Sequence, residues 1–360
     1  MTIPIRNIYY LFCYAWERFP EGGSTEAGVD DCPDLPNLFA RVLINGARRL
    51  LRRGLDRGYI SFEEELRSPR GRLLIDRTIK EQTLQRGAIS CQVDELRQDV
   101  LHNQIIKSTA VVLANHHLIK PSLAHELRLI CGRMGGVSVL RLRPGLFRSV
   151  QLSRNNAQYS ALMRLCEFVC RAMLPDEVGS GSRFSDILRD EERMSRVFED
   201  FLRNFYFYEQ SAFTVRREDM RWRLDSGPGG DPTLVPIMRT DIVLRSPRST
   251  VVMDAKFYAD PFPRSSGTPK IRSTHLYQLF AYMKHASDRA PGLPVRGALV
   301  YASPGDGCLH RYRMDGHEIA VAAIDLRRPW TQVQSALIGL LEGLGTKMPP
   351  HHDGLEQASN

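Results

Sequence analysis

The chain has 360 residues, of which 42% are hydrophobic and 25% are charged, and its formal net charge is +8. This balance is typical of a globular protein with a sizeable core, and the basic surplus favours a polyanionic partner, although solubility alone also explains it. The seven cysteines are odd in number and form no CxxC pair, which argues against a disulfide framework or a zinc knuckle.

The amino terminus is largely apolar over its first sixteen residues, but it does not resemble a signal peptide. Arg6 and Asn7 interrupt the apolar segment, and no basic segment precedes it. No apolar run in the sequence is long enough to span a bilayer, and the use of cysteine suits a reducing compartment. We therefore expect a cytoplasmic protein that does not bind membranes.

The first half of the chain, to about residue 180, has the pattern of a mixed α+β domain. Apolar residues recur at helical spacing from Ile5 to Trp16, and a second helix is predicted from about Leu38 to Gly54. The further elements predicted here are strands at 59–65, 88–94 and 137–142 and helices at 71–82, 97–114, 122–132 and 159–173.

The pattern changes after about residue 180. An amphipathic helix with Met194, Phe198 and Phe201 on one face is followed by a loop rich in glycine and aspartate at 225–231. Further predicted elements are strands at 240–245, 250–257, 295–302 and 319–325 and a helix at 274–285. We therefore predict an α/β protein with an N-terminal domain at 1–180, a second domain at 181–346 with a mixed sheet flanked by helices, and a flexible tail at 347–360.

Residues 240–257 predict a β-hairpin whose turn, at 246–249, is rich in serine and proline. Pairing across this turn sets Asp241 opposite Asp254. Because side chains alternate along a strand, Lys256 lies on the same face as Asp254. The opposite face is apolar and is predicted to pack on the core, so that the hairpin has one packed face and one face that presents two carboxylates and an ammonium group.

Two carboxylates that face each other across a hairpin repel and destabilise the sheet unless something offsets their charge. A divalent cation is the natural candidate, and Mg²⁺ prefers oxygen ligands and can bind a substrate phosphate. The metal can polarise that phosphate and lower the pKa of an attacking water, while Lys256 orients the water or stabilises charge on phosphorus. Spacing alone favours an exposed hairpin with an ordinary Asp–Lys pair; the apolar back face and the flanking helices favour the metal site.

The hairpin sequence, Thr240-Asp241-Ile242 followed by Met253-Asp254-Ala255-Lys256, resembles the core of the PD-(D/E)xK nucleases, with threonine in place of the proline. More narrowly, the chain resembles the McrC family, the nuclease subunits of McrBC restriction systems, which attack modified DNA. This resemblance covers nearly the whole chain and includes residues 3–10, 14–16, 103–109 and 276–279.

The resemblance implies roles for individual residues of the second domain. Asp241 and Asp254 match the acids that bind Mg²⁺, and Lys256 matches the catalytic lysine. Gln278 and Tyr282, four residues apart on one helix face, resemble the Q-x-x-x-Y element that some of these nucleases place beside the site, although a polar pair flanking the core fits equally well.

Glu199 is the remaining candidate for a metal ligand. It resembles the acid on the first core helix of these nucleases, but it lies off the centre of the apolar stripe of its helix. A surface glutamate explains its position almost as well.

The chain contains no GxxxxGK[ST] motif, so we expect it to bind no nucleotide itself. The resemblance implies a separate McrB-type AAA+ GTPase that recognises the modified cytosine, and an N-terminal domain that docks on this partner and stimulates its GTPase. The candidate contacts within 59–94 are basic residues near loops, which equally suit DNA or solvent. They are Arg67, Arg70, Arg72 and Arg86.

The function expected from the sequence is Mg²⁺-dependent endonuclease cleavage of double-stranded DNA, active only in complex with the GTPase. Two alternatives remain. One is a stand-alone DNA repair nuclease of the RecB type, which cuts without a GTPase. The other is a non-catalytic activator of a partner GTPase, in which Asp254 has no role in any activity.

Overall fold

The computed structural model describes residues 3–17, 28–173, 190–222, 224, 230–258, 260–265, 267–303, 305 and 307–344. The chain divides into a larger unit, Met1–Asp30 with Ser185–Asn360, and a smaller unit, Asp31–Phe184. The predicted tail at 347–360, the predicted domain boundary near residue 180 and most of the predicted loop at 225–231 lie outside the described residues.

The first helix, α1 (Ile5–Ala15), belongs to the larger unit, whereas the sequence analysis assigned it to the N-terminal domain. It packs against a helix almost two hundred residues further along the chain: the side chain of Asn204 donates a hydrogen bond of 2.9 Å to the carbonyl of Tyr14. Burial of the apolar stripe of α1 on this distant helix, rather than proximity in sequence, decides its unit.

The smaller unit combines a three-stranded antiparallel sheet with helices. The strand order is β1-β3-β2. The elements are α2 (Leu35–Arg53), β1 (Gly58–Leu66), β2 (Arg72–Leu73), α3 (Ile75–Lys80), β3 (Ile89–Arg97), α4 (Leu101–Ala114), α5 (Pro121–Arg133), α6 (Pro144–Arg148) and α7 (Ser160–Met173).

Helix α2 illustrates how local signals set the limits of an element. The side chain of Asp34 accepts a hydrogen bond from the amide of Asn37, which satisfies one of the free N–H groups of the first turn. Gly54, with a φ of 91°, ends the helix in a backbone conformation that other residues rarely adopt.

Two predictions in the smaller unit were wrong. Residues 137–142 form no strand, because side chains of α4 take their backbone partners: Lys107 donates to the carbonyl of Val137 at 2.6 Å, and Leu140 donates to the hydroxyl of Ser108 at 2.9 Å. The predicted helix at 71–82 is shorter, because Arg72 and Leu73 pair with β3 as a strand.

The larger unit contains the mixed sheet that the sequence predicts, with three central parallel strands and antiparallel neighbours. Its order is β12-β13-β11-β8-β7-β4, and helices pack on both faces. The elements are α8 (Glu191–Glu209), β4 (Thr214–Arg216), β5 (Asp219–Met220), β6 (Met238–Arg239), β7 (Ile242–Arg245), β8 (Thr250–Phe257), β9 (Arg264–Ser265), β10 (Thr268–Pro269), α9 (Ser273–Arg289), β11 (Val295–Ser303), β12 (Cys308–Met314), β13 (His317–Asp325) and α10 (Trp330–Glu342).

Strand β8 is buried on both faces, which corrects the expectation of one packed and one open face. Val252, on the face that carries Asp254, packs in a cluster with Leu279 and Met283 of α9. A Cβ added at Gly297 of β11 would collide with Met283, so this glycine allows α9 to approach the sheet closely. On the other face Phe257 meets Phe198 of α8. The charged side chains of β8 are confined to the second half of the strand.

Candidate active site

The β7–β8 hairpin has the predicted register. Ile242 pairs with Met253, and the turn is closed by a hydrogen bond of 2.9 Å from the amide of Ser246 to the carbonyl of Ser249. Asp241 stands immediately before β7, and its Oδ2 accepts a hydrogen bond of 2.9 Å from the amide of Ala255. The side chain of Asp241 thereby continues the pairing of the hairpin by one residue and lies beside Asp254.

Asp241, Asp254 and Lys256 come together as the sequence predicts. Asp254 is completely buried, and Asp241 is 7% exposed. The Nζ atom of Lys256 lies 2.8 Å from Oδ2 of Asp254, and the lysine side chain is 15% exposed. Within the described part of the chain, neither oxygen of Asp254 accepts a hydrogen bond of normal geometry. The ammonium offsets part of the charge of Asp254 at Oδ2, but Oδ1, which is also buried, has no partner among the described residues.

Gln278 and Tyr282 of α9 form a series of hydrogen bonds that runs from Lys256 to the backbone just before Asp241. Lys256 Nζ donates to Gln278 Oε1 at 3.1 Å, and Gln278 Nε2 donates to the Tyr282 hydroxyl at 2.9 Å. That hydroxyl donates to the carbonyl of Arg239 at 2.8 Å, two residues before Asp241. The pair therefore contacts the lysine directly and ties it to the segment that carries the first acid.

Glu199 lies on α8, near enough to Asp241 for their charges to interact. Burial, and then the charge of Asp241, raise the pKa of Glu199 to about 7. Its nearest ion-pair partner is Arg217, at 3.3 Å. Among the described residues, no three His, Cys, Asp or Glu side chains lie together in an arrangement that could hold a metal ion. Glu199 is thus close to the acids without completing a ready-made set of three ligands.

The acidic side chains hold protons more tightly than isolated ones. Burial raises the pKa of Asp254 to about 7; the ammonium of Lys256 opposes this rise, and the charges of Asp241 and Glu199 add to it. Burial also raises the pKa of Asp241, against the effect of the Ala255 amide and Lys256. The negative charge of the three carboxyls is therefore only partly balanced by the protein itself.

These residues fit a divalent cation. The carboxylates of Asp241 and Asp254 are hard oxygen donors of the type that Mg²⁺ prefers, and the buried Oδ1 of Asp254 has no partner among the described residues. A bound cation would offset the burial that raises the pKa of both groups and, at Asp254, the repulsion from Asp241 and Glu199. Asp241 and Asp254 are the residues best placed to hold it, with Glu199 as a third acid nearby.

A column of side chains next to Lys256 was not predicted from the sequence. The Arg272 guanidinium lies 5.0 Å from the centre of the Tyr258 ring, and Tyr258 stacks on His275 with ring centres 5.3 Å apart. His275 Nδ1 and the Tyr301 hydroxyl share a hydrogen bond of 2.9 Å, and Tyr301 pairs with Lys256 between neighbouring strands. No spacing in the sequence indicated this column, because strand pairing and the start of α9 assemble it.

His275 in this column is neutral at physiological pH. Burial, and then the positive charges of Lys256 and Arg272, lower the pKa of His275 to about 4. The column therefore carries the charge of Arg272 alone.

None of the helices within the described residues combines the length and the apolar character needed to cross a membrane.

Comparison with known proteins identifies the family. Residues 8–302 match the family described as McrBC 5-methylcytosine restriction system component. The chain is 30% identical over 343 residues to the Escherichia coli K12 protein named Type IV methyl-directed restriction enzyme EcoKMcrBC, covering 95% of this chain and 98% of that protein.

A solved structure has a similar fold. It is a chain of the assembly described as Thermococcus gammatolerans McrB AAA+ hexamers with bound McrC, with a TM-score of 0.55 and 16% sequence identity. The match covers 95% of this chain and 76% of that chain. On the family match and the relationship to the Escherichia coli protein, this chain belongs to the McrC family of the McrBC 5-methylcytosine restriction systems.

Proposed function

We propose that this McrC-type subunit is a Mg²⁺-dependent endonuclease that hydrolyses phosphodiester bonds of double-stranded DNA. The observation that carries the proposal is the Asp254 carboxylate, which is fully buried beside Asp241, has Lys256 on Oδ2 only, and leaves Oδ1 without a partner within the described residues. Burying such a group is costly unless a ligand completes it, and a cation with a bound phosphate does so.

In the proposed reaction Asp241 and Asp254 hold Mg²⁺, and Glu199 provides a third acid next to Asp241. The ion, when bound, supplies polarisation of the scissile phosphate and lowers the pKa of the attacking water. Lys256 stabilises the negative charge that develops on the phosphate oxygens. Gln278 keeps the ammonium in place through its 3.1 Å hydrogen bond, and Tyr282 fixes Gln278 in turn.

We propose that the partner is an McrB-type AAA+ GTPase. The solved assembly of similar fold is described as McrB hexamers with bound McrC, and the Escherichia coli relative is named as methyl-directed. In this proposal the partner hydrolyses GTP and recognises the modified cytosine, and this chain stimulates the GTPase and cuts DNA only within the complex.

The smaller unit offers a surface for this partner. Of the four candidate arginines, Arg70 pairs with Glu95 at 2.8 Å and Arg86 with Glu65 at 2.7 Å, so their charges are partly neutralised. Next to them lies an exposed apolar group that the sequence analysis did not single out: Leu73, Ile75, Ile79 and Leu84, exposed by 46 to 67%. We propose that this apolar group, rather than Arg70 or Arg86, is the main docking surface.

A cleavage assay tests the proposed function. The full chain is incubated with methylated or unmethylated plasmid, with and without the McrB-type partner, GTP and Mg²⁺. We expect cleavage only of methylated plasmid and only with all components present. Asp254→Ala should abolish cleavage and leave the stimulation of GTPase intact, because Asp254 lies in the larger unit and the proposed docking surface lies in the smaller one.

Asp288→Ala is the matched control, because Asp288 is an exposed acid of α9 that pairs only with Lys284 among the described residues. It should cut DNA at the normal rate. Cleavage without the GTPase would instead favour the stand-alone repair nuclease. Cleavage by Asp254→Ala in Mg²⁺ would refute the site, and a wild-type chain that stimulates GTPase without cutting DNA would favour the non-catalytic activator.

A further inference from the structure

Three cations belong to the candidate active site or to the column of side chains next to it, and they differ in their partners. Lys256 lies 2.8 Å from Asp254, and Arg217 lies 3.3 Å from Glu199. Arg272, by contrast, has no carboxylate within ion-pair distance among the described residues, and its Nε is buried without a hydrogen bond. Arg272 is therefore the one of these three whose charge is not already used by the protein.

The position of Arg272 is built rather than accidental. Its guanidinium lies over Tyr258, which stacks on His275, and His275 is held by the hydroxyl of Tyr301. Tyr258 follows β8 directly, two residues after Lys256, and Tyr301 is the residue of β11 that pairs with Lys256. The column thus fixes Arg272 relative to the end of β8 where the two acids and the ammonium meet.

From these contacts we propose that Arg272 binds a phosphate of the DNA strand that enters the Asp241–Asp254–Lys256 site. This inference rests on the proposed nuclease function and adds to it a residue that grips the substrate. A guanidinium presents five N–H donors in a plane, which matches the oxygens of a phosphate and allows two parallel hydrogen bonds.

Stacking on Tyr258 does not prevent Arg272 from binding a phosphate. The face of an aromatic ring attracts the charge of a guanidinium, but it does not replace the hydrogen bonds of its N–H groups. A half-buried arginine with no carboxylate partner is costly when the site is empty of substrate. A phosphodiester group neutralises the charge of the guanidinium and accepts its hydrogen bonds. The DNA backbone carries one such group for each nucleotide.

The test compares Arg272→Gln, Arg272→Lys and Arg289→Gln in the full chain with its GTPase partner. Arg289 is an exposed arginine at the other end of α9, so its variant controls for the loss of one positive charge. The measurements are single-turnover cleavage at saturating methylated DNA, the affinity for that DNA at several salt concentrations without divalent metal, and the stimulation of GTPase.

We expect Arg272→Gln to lower the cleavage rate about 100-fold, the lower end of the effect that follows removal of one hydrogen-bond donor from a transition state. The slope of log affinity against log salt concentration should fall by about 0.9, the value for one lost phosphate contact. Arg272→Lys should recover part of the rate, and Arg289→Gln should behave like the wild type in rate. GTPase stimulation and Tm should be unchanged in all three.

Two results overturn the inference. The first is cleavage by Arg272→Gln at the wild-type rate with an unchanged salt slope, which leaves no phosphate contact to explain. The second is a fall in its cleavage together with GTPase stimulation and Tm at a constant salt slope, which makes Arg272 a purely structural residue. Asp254→Ala in the same assay distinguishes a failure of the proposed nuclease function from a failure of the proposed phosphate contact. If Asp254→Ala still cuts DNA, the proposed function fails. If it does not cut DNA, the result for Arg272→Gln tests only the role of Arg272.

Discussion

Asp254 and Asp325 are two buried aspartates near the ends of parallel strands in the same sheet, yet their surroundings are opposite. The side chains are 0% and 6% exposed, respectively. Asp325 accepts hydrogen bonds from the amide and the guanidinium of Arg327, both at 3.0 Å, and pairs with Arg328 at 3.3 Å. Asp254 has only the ammonium of Lys256 beside it and accepts no hydrogen bond of normal geometry within the described residues.

The pKa values follow from this difference. Burial on its own would raise the pKa of Asp325, but the hydrogen bonds and charges of Arg327 and Arg328 hold it below the usual value. Burial raises the pKa of Asp254 to about 7, and the neighbouring acids add to the rise. The comparison teaches that a buried carboxylate at a strand end is no indication of a site. What indicates a site is a buried carboxylate for which the protein does not supply enough hydrogen-bond donors or positive charge.

The largest difference in DNA cleavage is expected when each of these two aspartates is replaced by asparagine in turn. Asp254→Asn should lower DNA cleavage by a factor on the order of 1000 or more, because a neutral amide is a poor ligand for Mg²⁺. Asp325→Asn should leave the cleavage rate of the folded protein unchanged and lower the free energy of unfolding by about 2 kcal/mol, because hydrogen bonds to a charged acceptor are lost. Single-turnover cleavage and thermal denaturation of both variants check this. An Asp325→Asn variant that folds normally but cannot cut would break the comparison.

The pH dependence should also distinguish the two regions. With the pKa of Asp254 at about 7, one proton on this carboxyl competes with Mg²⁺ at limiting metal. Cleavage should therefore fall about tenfold per pH unit below pH 7, the slope for one competing proton, and a tenfold rise in Mg²⁺ should move the midpoint down by up to about one unit. Rate profiles at two Mg²⁺ concentrations measure this shift, and a midpoint that does not depend on Mg²⁺ would contradict the proposal.

Stability should respond to pH with opposite signs at the two aspartates. A carboxyl with a raised pKa, such as Asp254, favours the metal-free fold below its usual pKa of about 4, and this contribution is lost as the pH rises through about 7. Mg²⁺ should therefore raise Tm more at pH 8 than at pH 6. Asp325, with a lowered pKa, contributes above its usual pKa and loses that contribution only as the pH falls through the lowered value.

A smaller effect on the cleavage rate is expected from the hydrogen bonds that position Lys256. Gln278→Ala should lower the cleavage rate about tenfold, because the ammonium loses an acceptor and its fixed position. Tyr282→Phe should cost only about threefold, because Gln278 keeps its contact with Lys256 when the hydroxyl is removed. Both changes should act on kcat rather than KM. Asp288→Ala, on the exposed side of α9, is the control; equal losses in all three variants would mean that α9 as a whole, not this chain of hydrogen bonds, had been disturbed.

The smallest effect on activity is expected for substitutions near Asp325, at the end of β13. The side chain of Asn7, which is buried, donates hydrogen bonds of 2.7 Å to the carbonyls of Leu326 and of Arg328, on either side of Arg327 in the loop that follows Asp325. Asn7→Ala should lower the free energy of unfolding by about 2 kcal/mol, because two carbonyls lose their donor, and should leave cleavage at low temperature unchanged. Chemical denaturation measures this, with the exposed neighbour Arg6→Ala as a control that changes little. A loss of cleavage in folded Asn7→Ala would assign this residue a part in the reaction.

Contacts between residues that are close in sequence were predicted correctly. The register of the β7–β8 hairpin was correct because a short turn leaves few ways to pair two strands, and alternation then fixes which side chains share a face. The contact between Asp254 and Lys256 follows directly from this local geometry. Helices with a clear apolar stripe, such as α8, were predicted for a similar reason.

Features that depend on contacts between distant residues were missed or wrong. The burial of both faces of β8, the assignment of α1 to the larger unit and the column of Arg272, Tyr258, His275 and Tyr301 all required the strand order and the position of α9.

The sequence by itself determined the acids, the lysine and their pairing in the hairpin, because those depend on backbone geometry over less than twenty residues. Only the tertiary structure decided which buried carboxylate is satisfied. Asp254 and Asp325 are the same residue type in similar strands, and the donors that complete Asp325 are supplied by its own following loop. The site of Asp254 is enclosed by α9 and by neighbouring strands that join it only when the chain folds, and packing in three dimensions sets the local charge and solvation that alter its pKa.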